Sequence, residues 1–438
     1  MLELIRTRAP WLLAPELSTC AVGSTALAEA CRRAHVSGPN AADLDLAWAL
    51  DVEKGTELLQ AHGVFVPTTA ASRARGTVAL RIGEQRCELT AFRGEPPPDA
   101  TLDARLTHDL ALRDMTGGAL AWRLADDQLV DPLHGLQHWR ERRIVPCGDP
   151  AARVAEHPIR FLRYHRRAHE WGFDLDPSLR RLRADPALLA TIPPEALSAE
   201  LRAALLRAPS PGRFLADLHE VGALTVIAPE LAGQFDGRPA GPQRHHPEIG
   251  QGLHLVLALE WASAHTADLD DDTRLAVMVA VLCHDLGKNL TPTAEWPRHL
   301  GHEQAGLPLI EALLERLPNL ADTRGKRLAL AVCALHQLAR SLRSLKPGTL
   351  VDLYTSWFQW NAFPVDAFAR AVAADAGGRL GLAASGDELA PRVAADVTWI
   401  RECCQSVDEG ALWRECGGDK AAFQARVRDA RCRALAGA

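Results

Sequence analysis

The stretch that most constrains the fold is Thr273–Lys288, TRLAVMVAVLCHDLGK. Its segment Leu275–Cys283 contains no polar residue, which predicts a helix buried on all sides. His284 and Asp285 follow directly, and Gly287 is predicted to end the helix. Burying two ionisable side chains against an apolar run is costly unless they are coordinated or hydrogen-bonded. The stretch therefore indicates either a metal site or, more simply, a surface histidine beside a C-terminal aspartate.

The surrounding segment is rich in histidine. Eight of the 17 histidines lie between positions 245 and 336. His254 lies in a helical pattern that follows a His-His-Pro-Glu turn, and Asp375 is predicted to end another apolar helix. His299 and His302 are three residues apart and share a face if their segment is helical. A histidine, a His-Asp pair and a distant aspartate form a set that binds metal ions.

This set resembles the HD phosphohydrolase superfamily, whose one His, adjacent His-Asp pair and later Asp match His254, His284, Asp285 and Asp375. The resemblance implies that these four side chains bind a divalent transition metal and that the domain hydrolyses a phosphoester, with His284 and Asp285 as catalytic residues. Three more histidines are expected in the same pocket, either as ligands of a second metal or as donors to phosphate oxygens: His299, His302 and His336.

Length and composition limit the remaining choices. A chain of 438 residues is too long for one ordinary core, so several domains are expected. No apolar run is long enough to span a bilayer, and charges interrupt the apolar part of the N-terminus, which predicts a cytoplasmic protein without membrane partners. The 10 cysteines contain no C-x-x-C pair, so neither a zinc ribbon nor a disulfide framework is indicated.

Strand signals are confined to about the first 145 residues. A short strand over Ser18–Val22 is predicted to end in Gly23-Ser24 at the start of a helix. Asp43 and Asp45 lie two residues apart in the next candidate strand, so they point to the same face. Two carboxylates on one face hold a divalent cation or, in the simpler interpretation, belong to a solvated edge strand.

A predicted hairpin supplies a further acid. The segments Thr77–Ile82 and Arg86–Phe92 flank a turn at Gly83-Glu84, and the second strand carries Glu88. The order of a Gly-Ser turn, an Asp-x-Asp strand and a later acid resembles the polymerase-beta-type nucleotidyltransferases. This resemblance implies that the turn binds an incoming triphosphate at a helix start. It also implies three catalytic acids that hold two Mg²⁺ ions, Asp43, Asp45 and Glu88.

The next segment narrows the family. Four short motifs occur in order: Arg113-Asp114-Met115-Thr116, Asp131-Pro132, Gly135-Leu136 and Glu156-His157-Pro158-Ile159-Arg160. They resemble the class II tRNA nucleotidyltransferases, that is, the CCA-adding enzymes and the related bacterial poly(A) polymerases. The later motifs HHPEIGQGLHL, CHDLGKNLTP and EWPRHLGHEQAG resemble the subgroup that carries an HD domain, so the resemblance covers essentially the whole chain. It implies tRNA, CTP and ATP as partners and assigns nucleotide binding to Gly23, Ser24, Arg113, Asp114, Arg160 and Arg163.

One helix is predicted to carry a basic face, because its arginines are three and four residues apart: Arg160, Arg163, Arg166 and Arg167. This face binds triphosphate and RNA phosphates, or it only keeps the helix soluble. The fold class is α+β, with a mixed-sheet head over residues 1–145 and helices thereafter. We expect a nucleotide- and RNA-binding neck over 146–244, the HD domain over 245–380 and a helical tail over 381–438.

The head departs from the family pattern. Gly23-Ser24 is followed by Thr25-Ala26, where the family has an Arg-Asp pair, and His157 replaces an aspartate that pairs with the base of CTP or ATP. Imidazole cannot offer that base a carboxylate acceptor. Three interpretations follow: CCA addition to tRNA with a phosphohydrolase in the same chain, a phosphohydrolase whose head only binds nucleotide or RNA, or a non-enzymatic tRNA-binding protein.

Overall fold

A mixed sheet organises the N-terminal part of the computed structural model, which describes residues 2–40, 43–64 and 76–437. Its strands are β1 Cys20–Val22, β2 Leu44–Trp48, β3 Thr77–Ile82, β4 Gln85–Ala91, β5 Ala121–Arg123 and β6 Gln128–Val130. Within the described residues the strand order is β3-β4-β2-β1-β5-β6. The β2–β4 pair is parallel and the other neighbours are antiparallel.

The chain divides into two compact units, residues 1–182 and 183–438, so the predicted neck spans the division. In the first unit, alternation along β2 buries Leu44, Leu46 and Trp48 and leaves Asp45 only partly buried on the opposite face. Helices accompany the sheet over Leu2–Arg8, Gly23–Arg33, Val52–Ala61, Leu102–Ala111, Gly135–Arg140, Pro150–Glu156, Ile159–Trp171 and Pro177–Arg181. Short 3₁₀ helices cover Pro10–Leu13, Pro15–Leu17 and Thr116–Gly118.

The second unit is helical. Its α-helices are Pro186–Leu189, Pro194–Arg207, Pro211–Glu220, Leu224–Ile227, Pro229–Ala232, Gln251–Ala264, Asp271–Cys283, His302–Arg316, Thr323–Leu335, Pro347–Leu353, Val365–Gly377, Ala383–Gln405, Glu409–Glu415 and Lys420–Ala436. The 3₁₀ helices are Gly233–Phe235, Leu286–Leu290, Thr293–Glu295 and Leu338–Ser344, and a π-helical turn covers Tyr354–Phe358. The predicted α+β class is therefore confirmed.

One detail of the strand prediction is wrong. Two short strands, β7 Arg143–Ile144 and β8 Asp174–Leu175, pair in parallel, so one strand lies inside the segment expected to be helical. The backbone of this segment extends because the helix Ile159–Trp171 ends at Gly172, which adopts φ 64°. Among the described residues, no strand follows β8.

The helix Asp271–Cys283 is the centre of the second unit. The Asp270 carboxylate caps its start by accepting from the Thr273 N–H at 3.0 Å. From Val277 onward every residue of the helix is buried, and the helix packs against four others: Pro194–Arg207, Gln251–Ala264, Thr323–Leu335 and Val365–Gly377. Each buried Val or Leu contributes roughly 1.5–3 kcal/mol of transfer free energy. The buried helix predicted from the apolar run is present.

Gly287 does not end this helix, contrary to the prediction. The helix ends at Cys283, and Gly287 lies within the 3₁₀ turn Leu286–Leu290. A Cβ at Gly287 would lie 1.8 Å from the His302 carbonyl oxygen, so the glycine is required by a close approach of two backbone segments. That approach brings the start of the helix His302–Arg316 beside the His-Asp pair.

Candidate functional sites

The second unit gathers His254, His284, Asp285 and Asp375 into one buried cluster. All four residues are less than 5% exposed. The His254 Nε2 atom lies 3.7 Å from Asp285 Oδ2 and 3.4 Å from Asp375 Oδ1. The His284 Nε2 atom lies 3.1 Å from Asp285 Oδ2. Three different helices supply these side chains, so only the folded unit brings them together.

Two more histidines approach the second oxygen of Asp285. His302 Nε2 lies 3.2 Å from Asp285 Oδ1, and His336 Nε2 lies 3.7 Å from the same atom. The two imidazole Nε2 atoms are 3.4 Å apart. Asp285 therefore belongs to two candidate metal-binding groups, one with His254 and His284 and the other with His302 and His336.

Main-chain carbonyls fix the orientation of three imidazoles. The Nδ1 atom of His284 lies 2.7 Å from the Val281 oxygen, and that of His302 lies 2.7 Å from the His299 oxygen. The Nδ1 atom of His336 lies 3.0 Å from a main-chain oxygen in the preceding turn. A carbonyl can only accept, so each of these Nδ1 atoms carries a proton and each Nε2 is the ring nitrogen directed at Asp285. This is the tautomer that a metal-binding histidine requires.

Burial and neighbouring charges set the protonation states of the side chains in this cluster. Burial alone would raise the pKa of Asp285, but the facing charges of His284 and Lys288 hold that pKa well below its usual range. Burial lowers the pKa of His336 to about 4, so this imidazole is neutral at pH 7. Burial alone would lower the pKa of His254 and of His302, but hydrogen bonds to Asp375 and Asp285 raise both pKa values. Carboxylates and imidazole nitrogens are the ligands of first-row divalent metals.

Several atoms of the cluster have no hydrogen-bond partner although they are buried. Among the described residues these include His254 Nε2, His284 Nε2 and Asp285 Oδ1, which all belong to the candidate ligand set. Unsatisfied polar atoms are rare in protein interiors and ask for an explanation. A bound divalent metal would satisfy all three, so the residues present fit such an ion.

His299 lies beside this cluster. It adopts φ 50° and precedes the helix that begins at His302, so the two histidines do not share a helix face. The reason is Gly301, whose φ of 75° separates His299 from the helix. His299 Nε2 lies 2.7 Å from the Pro239 oxygen, and His299 is in neither of the ligand groups that the described residues form around Asp285.

Three further residues support the cluster and were not predicted. The Lys288 ammonium donates to Asp285 Oδ2 at 2.7 Å, and the Gln251 amide donates to the same oxygen at 3.1 Å. Glu248 Oε1 lies 3.0 Å from His254 Nδ1 and 2.8 Å from His246 Nδ1. The position of Gln251 three residues before His254 on one helix is a signal that sequence spacing could have provided.

In the first unit, the predicted triphosphate turn lies beside the predicted acids. Gly23 adopts φ 57° at the start of the helix Gly23–Arg33. The Ser24 hydroxyl donates to Asp45 Oδ2 at 3.4 Å. A Cβ at Gly23 would lie 3.4 Å from the same Asp45 oxygen and 3.9 Å from Arg113 Nη1. The structure therefore brings Gly23, Ser24, Asp45 and Arg113 together.

The acids occupy neighbouring strands. Asp45 on β2 is the register partner of Glu88 on β4, and Asp43 is exposed immediately before β2. Burial first, and the Glu88 charge second, raise the pKa of Asp45. Repelling carboxylates at a helix start form a site that a divalent cation would stabilise. Asp43, Asp45 and Glu88 thus remain candidate Mg²⁺ ligands, and their donor chemistry fits that ion.

The predicted nucleotide-binding side chains are connected by hydrogen bonds. Arg113 donates to the buried Asp109 carboxylate at 2.9 Å, and Arg163 donates to Asp114 at 3.0 Å. Arg160 donates to the Leu112 carbonyl at 2.7 Å, directly before Arg113. Asp109 was not predicted, although its position four residues before Arg113 on a helical pattern was visible in the sequence.

The predicted basic face is largely paired. Arg160 and Arg166 are buried, and Arg160 donates to Glu156 at 2.8 Å. Arg166 and Arg167 both donate to Glu170. Two of the four arginines therefore lie in the interior rather than on a solvated surface. His157, by contrast, is exposed at the end of the helix Pro150–Glu156.

Comparison with known proteins agrees with this geometry. Residues 30–145 match the family model of the poly(A) polymerase head domain. The Bacillus stearothermophilus CCA-adding enzyme in complex with CTP superposes with a TM-score of 0.62 at 18% identity, covering 99% of this chain and 91% of that chain. An apo CCA-adding enzyme gives 0.64 at 14% identity, covering 100% and 93%. A tRNA nucleotidyltransferase complexed with a primer tRNA and an incoming ATP analog gives 0.56 at 19% identity, covering 92% and 99%.

Among the described residues, none of the helices combines the length and the apolar character that crossing a membrane requires.

The comparisons with solved structures cover at least 92% of this chain. The resemblance to the class II tRNA nucleotidyltransferases is confirmed at the level of fold and head domain. The chain carries a poly(A) polymerase head domain over residues 30–145 and has the fold of the CCA-adding enzymes.

Proposed function

We propose that this protein is a nucleotidyltransferase that acts at tRNA 3′ ends with CTP and ATP, and that its second unit is a metal-dependent phosphohydrolase. The observation that carries the first activity is the convergence of Ser24, Asp45 and Arg113 at a helix start. The observation that carries the second is the buried carboxylate of Asp285, which lies within 3.2 Å of the Nε2 atoms of His284 and His302.

In the head, each group has a role set by its charge. Asp43, Asp45 and Glu88 would hold Mg²⁺, which neutralises developing charge on a triphosphate when it is bound. The N–H groups at the start of the helix Gly23–Arg33 and the Arg113 guanidinium favour the anionic phosphates. Asp109 orients Arg113, since its buried carboxylate receives two of that guanidinium's N–H groups.

Similar proteins support the choice of substrates. Solved structures with this fold are described as complexes with CTP, with ATP, and with a primer tRNA and an ATP analog. Asp114 and Arg163 pair at 3.0 Å and so join the Arg113 segment to the helix Ile159–Trp171. From this position they would contact the nucleotide. Arg160 would act mainly as a positioning residue, since it is buried against the Leu112 carbonyl.

In the second unit, His254, His284, Asp285 and Asp375 would hold a divalent transition metal. Such an ion acts as a Lewis acid toward a phosphoryl oxygen when it is bound. His302 and His336 are suited to a second ion, because their Nε2 atoms face Asp285 Oδ1. Lys288 and Gln251 keep the Asp285 carboxylate ionised and oriented toward the imidazoles.

A phosphohydrolase whose head only binds nucleotide or RNA is the second candidate. The observation that favours it is His157, which is exposed where the related enzymes have a base-pairing aspartate. An imidazole there cannot select CTP and ATP in the way a carboxylate does. A purely tRNA-binding role is less well supported, because binding needs no buried ligand set.

One assay separates these functions. Purified protein is incubated with labelled CTP or ATP and tRNA lacking CCA, and in parallel with a 2′,3′-cyclic nucleotide or p-nitrophenyl phosphate. Incorporation together with chelator-sensitive hydrolysis supports the proposal. Hydrolysis without incorporation supports the second candidate. Loss of both activities in protein of full helical content would contradict both enzymatic proposals.

A further inference from the structure

Two arginines lie beside the metal-binding cluster. Arg340 Nη1 is 3.4 Å from Asp375 Oδ2, and Arg379 Nη2 is 3.4 Å from Asp375 Oδ1. The Arg379 side chain is 10% exposed and that of Arg340 is 31% exposed. Both guanidinium groups therefore share one carboxylate, and the contacts are longer than good charge-assisted hydrogen bonds.

The charges around Asp375 do not balance. One carboxylate faces two guanidinium groups, and its Oδ1 also lies 3.4 Å from His254 Nε2. If Asp375 binds a metal, as in the proposed function, its negative charge is shared with a cation. Positive charge that is buried without a partner is costly. The arginines then require an anion from outside the protein.

The backbone holds Arg379 close to the cluster. A Cβ at Gly377 would lie 2.4 Å from the Trp261 ring, and one at Gly378 would lie 2.5 Å from Ala258 Cα. These contacts press the turn before Arg379 against the helix that carries His254. The Arg379 Nε donor is buried and has no hydrogen-bond partner within the described part of the chain. A fixed guanidinium with an unused donor is a recognition group rather than a surface charge.

We propose that Arg340 and Arg379 form an anion subsite that binds the charged non-bridging oxygens of a phosphoester substrate. This inference rests on the proposed phosphohydrolase function and names its phosphate-binding residues. Planar guanidinium forks match phosphoryl oxygens in bidentate geometry. The sequence offered His302 and His336 either as ligands of a second metal or as donors to phosphate, and their Nε2 atoms are directed at Asp285.

A neighbouring arginine provides the control. Arg343 lies on the same 3₁₀ segment as Arg340, but it donates to Asp396 at 2.8 Å and its guanidinium lies 3.7 Å from the Trp399 ring centroid. Its charge is therefore satisfied within the protein. Arg343→Gln removes the same charge from the same segment without touching the subsite.

The test is calorimetric titration of inorganic phosphate into full-length protein loaded with Mn²⁺. Arg340→Gln and Arg379→Gln are each expected to weaken phosphate binding by roughly tenfold to a hundredfold, the contribution of a charge-assisted hydrogen bond. Arg343→Gln should leave it unchanged. Mn²⁺ affinity is measured separately in all three variants, and phosphate is titrated at saturating Mn²⁺, because both arginines also contact the proposed ligand Asp375. Arg379→Lys retains charge but not the fork and should bind phosphate with intermediate affinity.

The inference and the proposed function fail differently. Equal phosphate affinity in wild-type protein, Arg340→Gln and Arg379→Gln would overturn the anion subsite. So would Mn²⁺-loaded wild-type protein that does not bind phosphate. Failure of the wild-type protein to bind Mn²⁺ at all would overturn the phosphohydrolase itself. Because Arg340 is partly exposed, its variant keeps the test decisive if Arg379→Gln does not fold.

Discussion

The two candidate metal sites of this protein are built in opposite ways. In the head, Asp43 is exposed and the Glu88 side chain is 45% exposed, so the acids face solvent. In the second unit, His254 and the Asp285 side chain are at most 2% exposed, and the histidine nitrogens not directed at Asp285 are anchored. Two of the three acids of the first site are thus open to solvent, whereas the second site is enclosed by the protein.

Under the proposed function, the difference follows from what each site would bind. A polymerising site admits a triphosphate and an RNA end, so part of its ligand sphere belongs to the substrates. A hydrolytic site keeps its metal between turnovers and therefore profits from ligands that are held in advance. We expect nucleotide incorporation by the head to depend on its individual acids. We expect metal affinity in the second unit to depend also on the residues that hydrogen-bond to the ligands.

The largest effect is expected from Asp285→Asn. This change removes the charge shared by both histidine pairs, while the amide oxygen can still accept from Lys288. Metal affinity and hydrolysis should fall by at least about a hundredfold, the upper end of what supporting residues alone contribute. Metal content by elemental analysis and hydrolysis rate provide the measurement. Asp396→Asn, a buried acid that pairs with Arg343, is the control, and an unchanged metal content in Asp285→Asn would refute the site.

Asp45→Asn tests the open site. Nucleotide incorporation should fall by at least about a hundredfold, as expected when one group that stabilises transition-state charge is lost. The raised pKa of Asp45 shows that its charged form is disfavoured by burial and by Glu88, so folding stability should not decrease. Incorporation and thermal unfolding are measured together. Equal loss of incorporation and hydrolysis in a folded variant would show that the sites are not independent.

Glu248→Gln sharpens the contrast between anchored and exposed ligands. Glu248 Oε1 lies 3.0 Å from His254 Nδ1, and its second oxygen accepts from the Leu380 N–H at 3.2 Å. Neutralising it should lower metal affinity by roughly tenfold to a hundredfold while nucleotide incorporation is retained. Glu260→Gln on the helix of His254 pairs with Arg213 instead and serves as the control. Identical metal affinities in the two variants would exclude a positioning role.

The smallest effect is a thermal shift. Metal at a hundred times its dissociation constant should stabilise the folded state by about 2.7 kcal/mol, which corresponds to a rise of about 5–11 °C in Tm for a unit of this size. Differential scanning calorimetry with Mn²⁺ and with EDTA measures it. The same shift in Asp285→Asn would mean that the ion binds elsewhere.

Much of the closed site could be predicted from the sequence. The apolar run predicted the buried helix that precedes His284 and Asp285, and helical patterns placed His254 and Asp375 on other helices. The resemblance to the HD phosphohydrolases then identified these four residues as one site. Its support could not be predicted, because Lys288 and Gln251 look like ordinary polar residues until the fold brings them to Asp285. The close approach at Gly287 could not be predicted either, because a glycine near the end of a helical pattern usually indicates the end of the helix.

The arginine-rich helix of the first unit was harder to interpret for a different reason. Spacing identified the arginine face of the helix Ile159–Trp171, but it did not reveal that Arg160 and Arg166 would be buried. Glu170 lies four residues after Arg166, so this pairing was available from the sequence and competes with the phosphate-binding interpretation. Tertiary burial separates Arg160 and Arg166 from the more exposed Arg163 and Arg167.

The carbonyl anchors of His284, His302 and His336 also limit the size of the ion that the closed site accepts. Nitrogen ligands suit first-row ions at about 2.0–2.1 Å, whereas Ca²⁺ requires six to eight oxygens at about 2.3–2.6 Å. The imidazoles cannot swing outward without unwinding the helix ends to which they are tied. If the closed site holds a metal as proposed, these anchored nitrogen ligands would favour a first-row ion over Ca²⁺, where binding strength alone would leave the choice to whichever metal is abundant.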